Sequence, residues 1–411
     1  MLYVELKRYV EAVYQVVALL GAAAFIFFSQ VILARNLNPE DYGEISSLFS
    51  ISSVLGVFAS FGFGQFILNY SIYCKESELD KVIGSSLRVI FLFSGVMSVG
   101  LFFYAVWGRG GGGSIFVFPF MLFVLLQALN TLAFSVHQRF QMYSDVAKNR
   151  MQIPFIRMGA ALFAILGGVW GFWWALLIAG VGGVLISCGK LKAYLLQGTV
   201  LDGIRFMRGS AMFGAEALVS VFLLNICAVA LGGGGEFLAL ANINVALSII
   251  LASFLVPQAV FVNYLFPKYV RKNNLDPKSL FFEIMRLSCC SLIVGMAVFG
   301  VIVWLGGEFI DLFFGRAYAS AVDVLVILAW AVPVRFFSVG IGCYIATSDF
   351  IKFRVLVGVA AVLCFFGVVY VFSDHASVAV LYSFAFVISQ AVLTVGYLMV
   401  AFYKMLSVNS D

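Results

Sequence analysis

Uncharged apolar runs of about 18 or more residues recur along the whole chain, separated by short charged or glycine-rich breaks. As a helix, a run of that length crosses a hydrocarbon core of roughly 30 Å at about 1.5 Å per residue. The runs are continuously apolar, whereas barrel strands would alternate polar and apolar residues over about ten residues. The pattern therefore predicts an all-α integral membrane protein.

The breaks predict about twelve transmembrane helices in two sets of six. The first set is predicted near residues 9–34, 45–70, 85–107, 115–136, 151–168 and 172–189. The second set is predicted near residues 209–231, 237–266, 281–305, 320–346, 353–372 and 376–402. These boundaries come from hydrophobic periodicity and length, which locate long helices better than their ends.

The amphipathic segment 190–208, between the two sets, is the longest such connection. It predicts an N-terminal six-helix lobe of residues 1–205 and a C-terminal six-helix lobe of residues 206–411. The sets read as weak copies of each other with the same topology, because a polar break with an aromatic and a small residue follows the first helix of each. Copies of this kind predict two pseudo-symmetric lobes around a central cavity.

Lysines and arginines indicate the orientation. Of the 25, only Arg35, Arg109 and Arg316 fall in predicted outside loops and Arg335 within a helix. All the others lie in or beside segments on the side of the N-terminus. Short cytoplasmic loops carry an excess of basic residues, so both termini are predicted to be cytoplasmic in a multi-pass protein.

Composition supports the membrane assignment. The chain is 63% apolar and 11% charged, whereas soluble domains are near half apolar and a quarter charged. The net charge of +5 is distributed as loop anchors, so we expect no nucleic-acid partner. The seven cysteines lie mostly in apolar runs without paired spacing, which predicts small buried residues, no metal site and no cofactor.

Groupings of residues typical of enzymes are largely absent. His137 and His375 are predicted in loops on opposite sides of the membrane, so they would not share a site. The glycine run Gly110–Gly113 lies in a predicted outer loop and lacks the lysine and threonine of a phosphate-binding loop. The chain is therefore predicted not to be an enzyme.

Two ionisable residues interrupt predicted helices of the C-terminal lobe. Arg335 lies near the middle of its helix and is the only basic residue predicted deep in any helix; Glu216 lies about two turns into another. Facing lipid would cost each about 2.5 to 3.5 kcal/mol, so both are expected to face inward. One interpretation is a structural ion pair. The other is that the planar guanidinium of Arg335 binds a diphosphate through two hydrogen bonds.

Amide side chains form weaker polar stripes on two predicted helices. Gln127 and Gln138 fall near one helical face, with Thr131 between them, and Asn244 and Gln258 do the same on another helix. They are candidate substrate-binding residues because amides hydrogen-bond sugars. The alternative is that they bond neighbouring helices, as amides in membranes often do.

Three segments resemble a known family. Ala34–Gly43 matches an A-R-x-L-x-P-x-x-Y-G turn, and two further likenesses are Phe266-Pro267-Lys268 and Phe314-Gly315-Arg316-Ala317-Tyr318. In their order and spacing they resemble the Wzx-type polysaccharide and O-antigen flippases of the multidrug/oligosaccharidyl-lipid/polysaccharide (MOP) exporter superfamily. That superfamily also contains fourteen-helix members.

The resemblance implies movement of undecaprenyl-diphosphate-linked oligosaccharide from the cytoplasmic to the periplasmic leaflet of a bacterial inner membrane. It implies alternating access of two lobes, driven by a proton or sodium gradient through a carboxylate such as Glu216, in lipopolysaccharide or other polysaccharide biosynthesis. Besides the lipid-linked substrate and membrane lipids, it implies polymerase and chain-length regulator proteins of the same pathway as partners. Two alternatives stay open: a lipid II or drug exporter of the superfamily, and a membrane polymerase or ligase. The short outer connection near 306–319 disfavours the second alternative.

Overall fold

The computed structural model describes residues 2–70, 76–108, 117–273, 276–346, 350–373 and 377–407. Within these ranges the regular structure is helical throughout and contains no strand, which confirms the predicted all-α fold. The predicted sites at His375 and Gly110–Gly113 lie outside the described residues. The α-helices in these ranges are α1 (Leu2–Asn36), α2 (Pro39–Ser60), α3 (Phe63–Tyr70), α4 (Glu76–Gly108), α5 (Phe118–Arg139), α6 (Tyr143–Leu191), α7 (Val200–Gly234), α8 (Phe237–Pro257), α9 (Phe266–Asn273), α10 (Pro277–Phe313), α11 (Ala321–Ala329), α12 (Ala331–Ala346), α13 (Ile351–Val371) and α14 (Val378–Ser407).

Helix α6 is a hairpin. Its backbone leaves helical geometry at Gly167 and at Gly168, where φ is 56° and ψ is −141°, a conformation that favours glycine. The two arms on either side of this point are antiparallel. A hydrogen bond of 2.8 Å from Gln152 Nε2 to the carbonyl of Gly183 joins them at equal distances from the turn. The described residues contain 11 segments long and apolar enough to cross a membrane, and the one containing α6 has 52 residues. Because that segment folds back on itself, twelve crossings result, as predicted.

Three predicted helices are each divided, and the causes are local. The helix predicted at 45–70 breaks after α2 at Phe61 and Gly62, where φ is 44° and 71°. The helix predicted at 320–346 breaks between α11 and α12, because the ring of Pro333 clashes with the carbonyl four residues earlier. The helix predicted at 237–266 changes after Pro257 into a π-helical segment, Gln258–Leu265, which leads into α9.

The chain divides into two compact units. Met1–Val221 with Leu231–Glu236 forms the first, and Phe222–Ala230 with Phe237–Asp411 forms the second. The predicted division at residue 205 falls inside α7, whose residues are divided between the two units. Within the first unit α6 packs on α1 and α5, and α2 packs on α5; within the second, α10 packs on α12 and α13 on α14.

Candidate functional site

Arg335 lies near the middle of the 26-residue apolar segment Ala321–Ala346, one turn after the break between α11 and α12. Its side chain is half-buried. The guanidinium carbon lies 5.9 Å from the centre of the Phe254 ring on α8, within the range of a cation–π contact. The second unit thus holds a guanidinium near the middle of an apolar segment and beside an aromatic ring.

The two amides predicted on one stripe of α8 and its continuation lie at different depths. Gln258 is exposed and follows Phe254 by one turn, so it lies on the same helical face as the ring that contacts Arg335. Asn244 lies about 15 Å along the axis from Phe254. The Nδ2 atom of Asn244 is buried and has no hydrogen-bond partner among the described residues. The structure therefore brings Gln258, and not Asn244, to the level of Arg335.

Arg157 is another arginine deep within a helix, and the sequence did not single it out. It lies in the first arm of α6, well inside the helix, which begins at Tyr143 rather than at the predicted residue 151. Its guanidinium carbon lies 4.1 Å from the centre of the Phe49 ring on α2, and its Nε is buried with no hydrogen-bond partner among the described residues. Arg335 is therefore not the only basic residue deep in a helix. The sequence did not reveal the depth of Arg157 because the first turns of α6 are charged and resemble a loop.

Lys404, near the end of α14, is a further buried cation. It is 3% exposed and donates hydrogen bonds to the carbonyl of Tyr344 over 2.8 Å and to Asn273 Oδ1 over 3.0 Å. Its ammonium also lies 3.9 Å from the centre of the Tyr344 ring. Lys404 thus ties α9 and α12 to the end of α14. In the sequence, a lysine at a helix end is typical of a residue that anchors the helix at the membrane surface. The burial of Lys404 could therefore not be predicted.

The predicted amides of α5 are separated along the helix axis. Gln127 is half-buried, and its stem packs on Gly56 of α2 so closely that a Cβ at Gly56 would lie 2.6 Å from Gln127 Cβ. Gln138 is exposed in the last turn of α5, about 16 Å further along the axis. The two therefore do not share a site, although they fall near one face of the helix.

His137 was predicted to lie in a loop. The structure instead places it in the last turn of α5, where it is 8% exposed. Its Nδ1 lies 2.8 Å from Asn149 Nδ2, and the carbonyl of Asn149 accepts from Asn130 Nδ2 over 2.9 Å. These hydrogen bonds join the end of α5 to the first arm of α6 within the first unit. His137 therefore has a packing role in the helix end.

Glu216 is half-buried in α7, and its Oε1 accepts a hydrogen bond from Ser220 Oγ over 3.2 Å. It belongs to the first compact unit, whereas Arg335 belongs to the second. The sequence assigned both to one lobe because it placed the lobe boundary at residue 205, before Glu216. A carboxylate with a hydroxyl donor inside a membrane span can exchange a proton or contribute oxygen ligands to a cation.

Comparison with known proteins gives a match at the level of the fold. No protein-family model and no curated protein sequence matches the chain. The lipid II flippase MurJ in an inward closed conformation superposes with a TM-score of 0.71 at 11% identity, over 94% of this chain and 87% of that one. The MATE multidrug transporter DinF-BH gives 0.70 at 12% identity, over 95% and 94%.

A multidrug resistance MATE family transporter of the MOP superfamily, in an inward-facing conformation, gives a TM-score of 0.67 at 12% identity. That alignment covers 97% of this chain and 99% of the other. Identities this low show the fold alone, and the coverage shows that it extends over nearly the whole chain. The protein therefore has the fold of the MATE transporters and of the flippase MurJ.

Proposed function

We propose that this protein is a flippase that moves undecaprenyl-diphosphate-linked oligosaccharide units, such as those of O-antigen, from the cytoplasmic to the periplasmic leaflet of a bacterial inner membrane. One observation carries the proposal: a guanidinium, that of Arg335, lies at mid-membrane depth in a chain with the fold of a lipid II flippase. A guanidinium there requires an anionic or π partner, and a diphosphate meets its planar donor fork with two hydrogen bonds.

In this proposal each candidate residue has a separate role. Arg335 holds the diphosphate from the second unit, and Gln258, on the helical face of its aromatic neighbour Phe254, contacts the sugar. Gln127, Gln138 and Asn244 contribute further amide contacts along the translocation path. Glu216 couples the alternation of access to a proton or a cation.

A drug exporter is the second candidate, because MATE multidrug transporters share the fold. The observation that separates the two is the charge of the spans. Arg157 and Arg335 place positive charge at mid-membrane depth in both units, which repels a cationic drug and attracts a diphosphate. A polymerase or ligase has less support, because the structural neighbours given above are transporters.

The test of the function is complementation in two bacterial strains. Expression in a strain that lacks its O-unit translocase is expected to restore surface glycan, measured by silver-stained lipopolysaccharide ladders. Expression in a strain depleted of its lipid II flippase is expected not to restore growth. Rescue of the second strain alone would indicate a lipid II flippase, and drug resistance without rescue of either strain would indicate an exporter.

The proposal includes an orientation with both termini in the cytoplasm. Green fluorescent protein, which fluoresces only when it folds in the cytoplasm, is expected to be bright when fused after Lys192 or after Asp411. The same reporter is expected to be dark after Gly112, where alkaline phosphatase should be active instead. Bright fluorescence after Gly112 would invert the proposed orientation.

Ion coupling at Glu216 predicts a specific defect. Glu216→Gln keeps the hydrogen bond to Ser220 but removes the charge that binds and releases an ion, so we expect normal abundance and a loss of gradient-dependent transport in proteoliposomes of about tenfold or more. Glu236→Gln is the matched control, because Glu236 is exposed just after α7. Wild-type transport by Glu216→Gln across a range of pH would exclude the coupling role.

A further inference from the structure

The two arms of the α6 hairpin enclose a groove of about 590 Å³ in the first unit. Its wall is apolar, and two of its residues, Phe155 and Ile186, are 65% and 55% exposed. In a membrane protein such exposure is to lipid, so the groove opens sideways into the bilayer. The volume falls in the range of small-molecule and lipid sites, about 300 to 1,000 Å³.

The groove exists because small residues face it without being used for helix packing. Small residues in membrane helices usually let two backbones approach closely. Here a Cβ added at Gly159 or at Gly182 would meet no heavy atom within 4 Å. The next residue, Gly183, does pack on Ile156. The two arms are therefore in contact on one side of the groove and remain apart on the other. The space beside Gly159 and Gly182 is therefore available to a ligand.

The groove has the length of one leaflet. It extends along the first arm from Lys148 to Gly159. At 1.5 Å per residue this distance is about 16 Å. Half of the hydrocarbon core is about 15 Å. A ligand whose polar end lies at Lys148 would therefore have its apolar end near the bilayer midplane, which is the dimension of one lipid tail.

Positive charge and amides line one end of the groove only. Lys190 donates hydrogen bonds to the side-chain oxygens of Asn149 and Gln152, and both of these side chains are uncharged amides. Lys148 is 62% exposed and pairs with Asp145 over 3.0 Å. Two lysines with one carboxylate leave a net positive charge at this end. Because basic pockets between helices at the cytoplasmic surface recognise lipid phosphates, the groove combines a headgroup site with a tail site.

We propose that this groove binds an anionic phospholipid of the cytoplasmic leaflet, with its phosphate on Lys148 and Lys190 and one acyl chain between the arms of α6. The occupant is a bilayer phospholipid and not the transported substrate. Such lipids are the abundant anions of the leaflet, and occupancy follows concentration over dissociation constant. The groove is also complete within the first unit, so its occupancy does not depend on the proposed transport cycle.

Native mass spectrometry of the intact protein, released from nanodiscs of equal phosphatidylglycerol and phosphatidylethanolamine, tests the proposal. The wild type is expected to retain one phosphatidylglycerol in preference to phosphatidylethanolamine. Gly182→Leu fills the groove from a position with open space and should reduce retention about tenfold. Gly95→Leu is the matched control, because Gly95 is exposed on α4 and its Cβ would also meet nothing within 4 Å.

Headgroup recognition is tested separately. Lys148→Gln and Lys190→Gln should each reduce the preference for phosphatidylglycerol about fivefold, the effect of one lysine near an anionic surface. Lys192→Gln, exposed and outside the groove, should leave it unchanged.

Thermal unfolding in detergent shows whether Gly182→Leu folds, and Gly159→Leu provides a second filling variant. Equal retention of the two lipids by the wild type would overturn the proposal. Unchanged retention by both folded filling variants would do the same, as would a retained mass equal to that of a lipid-linked oligosaccharide.

Discussion

Replacing Arg335 with alanine is expected to abolish surface glycan display while the protein stays in the membrane near its wild-type abundance. Arg335 is half-buried at the middle of its span, and its contact with the Phe254 ring is lost in the variant. Removing the only guanidinium that we assign to the diphosphate leaves that dianion without its charged donor. Hydrogen bonds to charged groups contribute about 1.5 to 3 kcal/mol each, so losing two of them reduces transport by about a hundredfold or more.

Lysine at this position separates charge from geometry. Arg335→Lys keeps the positive charge but donates from one point instead of a planar fork, so glycan display should fall about tenfold while abundance stays normal. If Arg335 acted only through its charge, for example in a structural ion pair, Arg335→Lys would keep wild-type glycan display. Arg316→Ala is the matched control, because Arg316 is exposed in the turn after α10, and it should leave display unchanged.

One result would contradict the diphosphate site. If Arg335→Ala removes the protein from the membrane and the additional change Glu216→Ala restores both abundance and glycan display, the two residues form a structural pair. Quantitative immunoblots of membrane fractions measure the abundance, and lipopolysaccharide ladders measure the display. Loss of display at full abundance supports the site.

The number of crossings could be predicted from the sequence because hydrocarbon thickness sets a minimum length for each apolar run. The two arms of the α6 hairpin were also predicted as separate helices, at 151–168 and 172–189, and the structure places the turn between them at Gly167 and Gly168. Helix ends were less accurate. α4, α6 and α10 begin before the predicted residues, because their first turns are charged and amphipathic and lie outside the hydrocarbon core. Hydropathy does not distinguish such turns from loops.

The candidate site was only partly predictable, for a related reason. Arg335 stands out because apolar residues flank it on both sides. Arg157 follows closely on a charged segment and its aromatic partner, Phe49, lies on another helix, so no local pattern reveals the contact. The helical wheel placed Gln127 and Gln138 on one face but gives no measure of depth. It also does not show that Gly56 leaves room for the stem of Gln127.

The joint between α2 and α3 depends on a close backbone approach that only glycine permits. Gly62 has φ of 71°, and a Cβ there would lie 2.2 Å from the backbone nitrogen of Gly214 on α7. A Cβ at Gly214 would in turn lie 2.8 Å from the carbonyl carbon and oxygen of Phe61. Both neighbours are main-chain atoms that belong to the first unit, so no side-chain rotation relieves the overlap.

Gly62→Ala is therefore expected to lower the stability of the folded protein by about 3 kcal/mol or more, from the strained backbone conformation together with the overlap. Thermal unfolding in detergent and abundance in membranes measure the loss. Gly168→Ala tests the strained backbone alone, because Gly168 has φ of 56° and ψ of −141° but open space around its Cβ, and its loss should be about 1 to 3 kcal/mol and smaller than that of Gly62→Ala. Gly95→Ala, exposed in α4 with open space, should be nearly neutral. Equal losses in Gly62→Ala and Gly168→Ala would show that α7 does not approach the joint this closely.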